Sequence, residues 1–368
     1  MIGQALIDLP IGSRVAVAMS GGVDSSVTAA LLKAHGLDVV GVTMRLLGGL
    51  VPAASGCCGG PDMRDAQRVA DHLKIPHHVL DFEAEFEDEV VKPFAAAYAG
   101  GETPSPCIDC NRHLKFRHLL ATARDLGAES LATGHYARRL IGPRGPELHM
   151  GADPARDQSY FLFALEEGSL ERLRFPLGAV SKAEARAYAH SQGLPVASKP
   201  DSQDICFVAE NGYAELVGRY QPGSLVPGEI VDETGRGLGI HKGLAHYTIG
   251  QRRGLGLGGG PPLYVLGLDA ANNRVIAGPR QALAQRRFGL RDLVWLAGDR
   301  PEPAVEADFR IRSTRKPVPG TLFRQAGQPI RVELDIAEEG VAPGQACVAY
   351  AGSRVLGGGW ITNLTNFP

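Results

Sequence analysis

The chain lacks the marks of a membrane or secreted protein. No uninterrupted apolar run is long enough to span a bilayer. The opening stretch MIGQALIDLPIG has neither the basic region nor the long apolar core of a signal peptide. Cysteine is scarce, with six in 368 residues. In the cytosol, the expected compartment, such thiols read as catalytic or metal-binding before they read as disulfides. A strong charge of one sign is missing too: 38 Lys and Arg face 40 Asp and Glu, a net charge of −2. Any nucleic-acid contact must therefore come from local clusters. There is no G-x-x-x-x-G-K-[ST] phosphate motif, no internal repeat and no low-complexity tail.

The length and a hydrophobic content of 44% allow two or three domains, each burying its own core. The first half alternates strands and helices: RVAVAMS, a helix from about Val23 to His35, LDVVGVTMRL, the helical spacing of DMRDAQRVADHLKI, then PHHVLDF. A helix over Glu83–Tyr98, a Pro-rich loop, the helix CNRHLKFRHLLATARDLG and the strand SLATGHY follow. That pattern predicts an α/β fold with a parallel sheet covered by helices. Ligands of such sheets lie beyond the carboxyl ends of the strands, where Ser20, Met44 and Gly134 fall. After about residue 217, glycine and proline rise and short alternating runs take over, which predicts a β-rich half ending in a small barrel. The expected domains are 1–217 (catalytic), 218–283 (central adaptor) and 284–368 (barrel).

Between the first strand and the first helix stands SGGVDSS. Glycines let the backbone approach an oxyanion closely, and the free N–H groups of the helix start point at it. The stretch resembles the loop of ATP-pyrophosphatases, which split ATP into AMP and pyrophosphate, so the fold is expected to be of the adenine nucleotide α-hydrolase type. A carboxylate at Asp24 would repel phosphate, and a Mg²⁺ ion between them is the expected remedy.

Two cysteines sit in polar loops. Cys110, in TPSPCIDCNRHLKF, is expected where a helix begins, with Arg112 and Lys115 nearby. Helix dipole and cations would both favour its thiolate. Cys206 lies in SKPDSQDICFV behind two acids. The residues alone leave open a catalytic pair, two buried small hydrophobes, or half a zinc site at Cys107 and Cys110, although no second C-x-x-C accompanies them. Cys347, inside an alternating run, reads as core. Cys57 and Cys58 read as part of a loop beside the nucleotide, with a cluster or relay role as the alternative.

Seven motifs in fixed order carry a resemblance over nearly the whole chain: AMSGGVDSSVTAALL, TPSPCIDCNRHLKF, ATGHYAR, DPARDQSYFL, KPDSQDICF, HYTIGQRRGLGL and VAPGQACVAY. Together they are similar to the bacterial tRNA-specific 2-thiouridylases. The resemblance implies ATP-dependent adenylation of the C2 oxygen of the wobble uridine and its replacement by sulphur. It implies Cys110 as nucleophile and Cys206 as persulphide carrier, fed by a sulphur-relay protein, with a Cys110–Cys206 disulfide as one outcome. The nucleotide site it implies is Ala18, Met19, Ser20, Gly21, Gly22, Val23, Asp24, Ser25, Met44 and Gly134. The tRNA contacts are His135, Arg156, Asp157, Gln158, Arg310, Ile311 and Gln345, with Ser105, Pro106 and Cys107 around the target base.

One departure stands out. Where many members carry an acidic residue three positions before the nucleophile, this chain has Cys107, and Asp109 is displaced in register. The change also creates a trio, Cys107, Cys110 and Cys206, that would suit an iron–sulphur cluster of the [4Fe–4S] type. For RNA, Arg252 and Arg253 form one basic run, and Arg310, Arg312, Arg315 and Lys316 another. A tRNA substrate needs phosphate contacts far from the reacting base, and the base itself must leave its stack to be reached.

Overall fold

The computed structural model describes residues 8–47, 60–201, 205–208, 212–258, 260–298 and 303–362. Cys57 and Cys58 lie outside them. Seven strands come from the first half: β1 (Arg14–Ala18), β2 (Asp38–Arg45), β3 (His77–Asp81), β4 (Ser130–Ala132), β5 (Ala137–Gly142), β6 (Gly145–Met150) and β7 (Leu173–Arg174). Five of them pair in the order β3-β2-β1-β4-β7, every neighbour parallel.

Alternation along β1 covers both faces of this sheet. Val15, Val17 and Met19 meet Ala29 and Leu32 of α1 (Val23–Ala34) and Val69 of α2 (Gly60–Leu73). Ala16, with Val40, Val42 and Met44 of β2, faces the other way, toward Phe86 and Phe94 and toward Leu114 and Leu119. Those belong to the helical stretches 83–99 and 106–125. The strand order reverses between β1 and β4, so the crevice beyond their carboxyl ends is the expected ligand site.

Two sequence expectations need correction. The helix expected to begin at Cys110 begins at Pro106. Proline is preorganised for the first helical position and its missing N–H costs nothing there. Cys107 thus takes the first turn, and Cys110 lies beyond it, in a stretch of π-type turns over Cys110–Leu119. The dipole argument therefore applies to Cys107 and is weak at Cys110, because the effect fades within one turn. The hairpin β5–β6 was also unforeseen.

The central segment folds as β8 (Gly228–Val231), β9 (Gly237–His241), β10 (Tyr264–Asp269) and β11 (Arg274–Gly278), in the order β10-β11-β8-β9. Ile230, Tyr247, Val265 and Val275 form its core. The last segment contributes β12 (Ala284–Trp295), β13 (Ala304–Arg310), β14 (Val318–Phe323), β15 (Ile330–Glu339), β16 (Ala346–Ala351) and β17 (Arg354–Thr362). They run β12-β15-β14-β13-β16-β17, and a β12–β17 pairing closes the barrel around Phe288, Phe309, Val332 and Cys347. Cys347 is core, as its alternation implied. The β5–β6 hairpin joins this barrel's sheet through β6 against β17, with Arg354 opposite His149. It lies inside segment 1–217 yet shares a sheet with the last third of the chain.

Candidate active site

The SGGVDSS turn lies at the β1 end of the crevice. The Ser25 hydroxyl accepts from the Ser20 N–H at 3.1 Å and donates to the Gly22 carbonyl at 3.2 Å. The Ser26 hydroxyl donates to the same carbonyl at 2.7 Å. No side chain caps the helix start at Gly22, which leaves its first N–H groups facing the crevice. Two glycines are there because nothing else fits. Gly21 has φ +71°, and a Cβ on it would sit 2.1 Å from the Asp62 carbonyl. A Cβ on Gly134, just past β4, would lie 2.8 Å from the Ser25 nitrogen. Ser20 and Gly134 therefore line one crevice. Met44 is buried one strand over, on the face that carries Ala16.

Around this turn is a charged ring that motif reading missed. Asp24 accepts from Lys182 Nζ with both oxygens, at 2.7 and 2.8 Å, and from the Tyr136 hydroxyl at 2.8 Å. Lys182 also pairs with Asp201 at 2.8 Å, and Arg186 and Arg156 reach Asp201 at 2.7 and 3.1 Å. Burial alone would raise the Asp201 pKa, but these cations hold it below the usual carboxylate value. Lys199 donates to the Gly21 carbonyl at 3.0 Å and to Asp62 and Asp65 at 2.5 and 2.6 Å. Lys182 opens the helix Lys182–Ser191, which starts with a capping box at Ser181 and Glu184; the S-x-x-E spacing of SKAE is the local signal for it. Its contact with Asp24, 158 positions away, had no sequence signal.

The two sulphur-bearing positions come to one core cluster. Cys110 and Cys206 both pack, half-buried, against the cluster that holds Met44, Ile108 and Phe207. Phe207 is the anchor: its ring meets those of Phe86 and Phe94 edge-on at 5.4 and 5.3 Å. Pro106 is buried and Cys107 exposed, while Ser105 precedes the helix. Next to Cys110, Asn111 donates to the Phe161 carbonyl at 3.0 Å and accepts from Lys115 at 2.9 Å. Burial lifts the Asp109 pKa to about 6 against the pull of Arg112 and Arg291. His135 is held neutral, its pKa pushed well down by burial and by Lys115, with the Thr133 hydroxyl 2.7 Å from Nδ1.

Several positions that the resemblance assigns to tRNA contact have partners inside the molecule. Asp157 and Arg310 pair at 2.6 Å. Ile311 is buried in the barrel core. Gln345 donates to the Thr103 carbonyl at 2.7 Å, tying the barrel to the loop before Cys107. Gln158 accepts from the Tyr136 N–H at 3.0 Å, and only Arg156 among these reaches well into solvent. The turn that leads into Arg252 and Arg253 lies beside the other basic run: a Cβ on Gly250 would stand 3.9 Å from the Arg312 guanidinium. Arg252, Arg253, Arg315 and Lys316 around that junction are exposed.

Residues 13–210 match the family model described as the tRNA methyl transferase HUP domain. Residues 215–279 match the tRNA methyl transferase PRC-barrel domain, and 285–361 the aminomethyltransferase beta-barrel domain. The tRNA-specific 2-thiouridylase MnmA of Paracoccus denitrificans (strain Pd 1222) is 56% identical over 361 residues, covering 96% of this chain and 92% of that protein. The chain belongs to the MnmA family. Another member, from Rhodospirillum rubrum, is also 56% identical, over 96% of this chain and 97% of its own length. Among solved structures, a 4-thiouridine synthetase–RNA complex with bound ATP overlays 58% of this chain and 52% of that one. The identity is 19% and the TM-score 0.36, too loose to carry an argument.

Proposed function

We propose that this chain is a tRNA 2-thiouridylase, working as its MnmA relatives are named to work. ATP binds over the Ser20–Ser25 turn, with Ala18, Met19, Val23, Met44 and Gly134 around the nucleotide. The C2 oxygen of the wobble uridine attacks the α-phosphorus, and the bond to the bridging oxygen breaks. Pyrophosphate leaves toward the helix N–H groups, and the oxygen is now part of an AMP leaving group. The terminal sulphur of a Cys206 persulphide, loaded by a sulphur-relay protein, attacks C2. AMP departs, and the Cys110 thiolate takes the remaining Cys206 sulphur as a disulfide. In the alternative order Cys110 first frees hydrosulphide, which then attacks. The persulphide needs two thiols at one base, which is why two loops supply them. The setting is the cytoplasm; no helix among the described residues is long and apolar enough to cross a membrane.

The observation that carries this reading is the Lys199 bond to Gly21. It ties the segment running into Cys206 to the nucleotide turn, on the molecule whose other sulphur position packs against the same core cluster. Methyl transfer, which the family models' descriptions name, has no use for a turn that binds a leaving pyrophosphate.

A Mg²⁺ ion would be held chiefly by the phosphates of ATP, whereas an iron–sulphur cluster would need protein ligands. No three His, Cys, Asp or Glu groups among the described residues stand close enough to hold an ion. Cys107, which would hold the cluster with Cys110 and Cys206, is exposed, and the other two are half-buried. Asp24, the expected Mg²⁺ ligand, has both oxygens on Lys182. The test is incubation with ATP, a sulphur donor and unmodified tRNA, followed by mass analysis of the wobble uridine. Wild type should show the oxygen-to-sulphur change and Cys110→Ser should not. An unchanged uridine with wild type overturns the reading.

A further inference from the structure

An aspartate in the first turn of a phosphate-binding helix is an electrostatic puzzle, and its partner answers it. The Lys182 ammonium chelates both Asp24 oxygens, at 2.7 and 2.8 Å, and touches Asp201 at 2.8 Å, with its side chain only 11% exposed. We propose that Lys182 is a catalytic residue: Asp24 holds its ammonium beside the turn, and the ammonium passes to the pyrophosphate as it departs. This rests on the thiouridylase reading and adds a residue to its first step.

The surroundings allow the hand-over. When Lys182 leaves, Asp201 keeps Arg186 and Arg156, and Asp24 keeps the Tyr136 hydroxyl. Neither carboxylate is then left buried and bare, the condition that makes breaking an ion pair costly. Lys199, whose protons are likewise all taken, is the less free of the two, because its departure would strip Asp62 of the cation it pairs with among the described residues. In the step itself the uridine O2–Pα bond forms and the Pα–O bridging bond breaks, its electron pair staying on the pyrophosphate oxygen. The Lys182 ammonium meets that growing charge without giving up a proton. Preorganised cations aimed at developing charge are where such sites gain most. Any divalent ion chelated by the phosphates of ATP arrives as part of the substrate.

The test measures tRNA-dependent pyrophosphate release by the full-length protein across a Mg²⁺ titration. Lys182→Met should lower kcat on the order of 10²-fold and leave half-saturating Mg²⁺ where it was, while Lys182→Arg should recover most of the rate. Wild-type rate in Lys182→Met overturns the proposal. So does a shift of half-saturation to lower Mg²⁺, since that would show Asp24, once freed, to be the metal ligand. If the single variant unfolds, the double variant Asp24→Asn/Lys182→Met removes both charges, and a double variant at full rate overturns the proposal equally. Wild type that releases pyrophosphate yet leaves tRNA unthiolated would instead overturn the thiouridylase reading, with the Lys182 comparison still valid.

Discussion

Arg310, at the end of β13, donates to the Asp157 carboxylate at 2.6 Å, with the two side chains 10% and 3% exposed. Asp157 also accepts from the Gly151 and Ser159 N–H groups at 3.0 and 3.1 Å and from the Ser159 hydroxyl at 3.0 Å. The pair locks the barrel onto the segment before Tyr160, whose hydroxyl donates to the Ala346 carbonyl at 2.8 Å. Arg310→Ala leaves a buried carboxylate without its cation. It should cost about 3–5 kcal/mol, read as a lower denaturant midpoint. Charge reversal at Arg310, attractive from sequence as a probe of RNA binding, would therefore report on folding.

Under the thiouridylase reading, the exposed cations around the junction of the two basic runs are the expected phosphate contacts. Replacing Arg252, Arg253, Arg315 and Lys316 with glutamine should flatten the dependence of log K for tRNA on log salt by about 0.7–0.9 per lost phosphate contact. The KM for ATP should stay as it is. An unaltered salt slope in a filter-binding titration would place the RNA elsewhere.

Gly134 packs its backbone directly against the nucleotide turn. Gly134→Ala puts a Cβ 2.8 Å from the Ser25 nitrogen and pushes the turn out of place. Displacements of about 1 Å cost roughly 10²-fold in rate, so kcat/KM for pyrophosphate release should fall on that order. Unaltered kinetics would show the turn tolerates the shift.

Asp109 gives a pH signature. Its folded pKa of about 6 lies above the unfolded value, so its contribution to stability is complete below pH ~4 and disappears as pH rises through 6. Asp109→Asn should be more stable than wild type by about 1–2 kcal/mol at pH 8, after allowance for solvent screening. The two proteins should converge below pH ~4. Unfolding titrations at pH 4, 6 and 8 check this.

The parallel sheet and the barrel were legible because both write themselves in local patterns. Buried runs such as Val15–Ala18 precede periodic helices, and period-two alternation marks RVIAG, matched by β11 residue for residue. The nucleotide turn was legible because glycine, serine and aspartate must occur there in one short order. What stayed hidden is long-range. Nothing near Lys182 announces Asp24, and nothing near Arg310 announces Asp157, since an ion pair leaves no periodicity. The start of the Cys110 helix is hidden because its prolines carry the local signal of a loop, although Pro106 initiates the helix. The hairpin β5–β6 escaped because its strands, ARRLIG and GPELHM, are mostly half-buried and polar.

That hairpin has a practical consequence. With the end of β6 paired to the start of β17 at Arg354, a barrel expressed from residue 284 onward would lose that edge contact. Bare ladder groups invite pairing with a neighbouring copy. Such a fragment should self-associate, and swapping barrels between relatives should succeed only when the hairpin travels with its barrel.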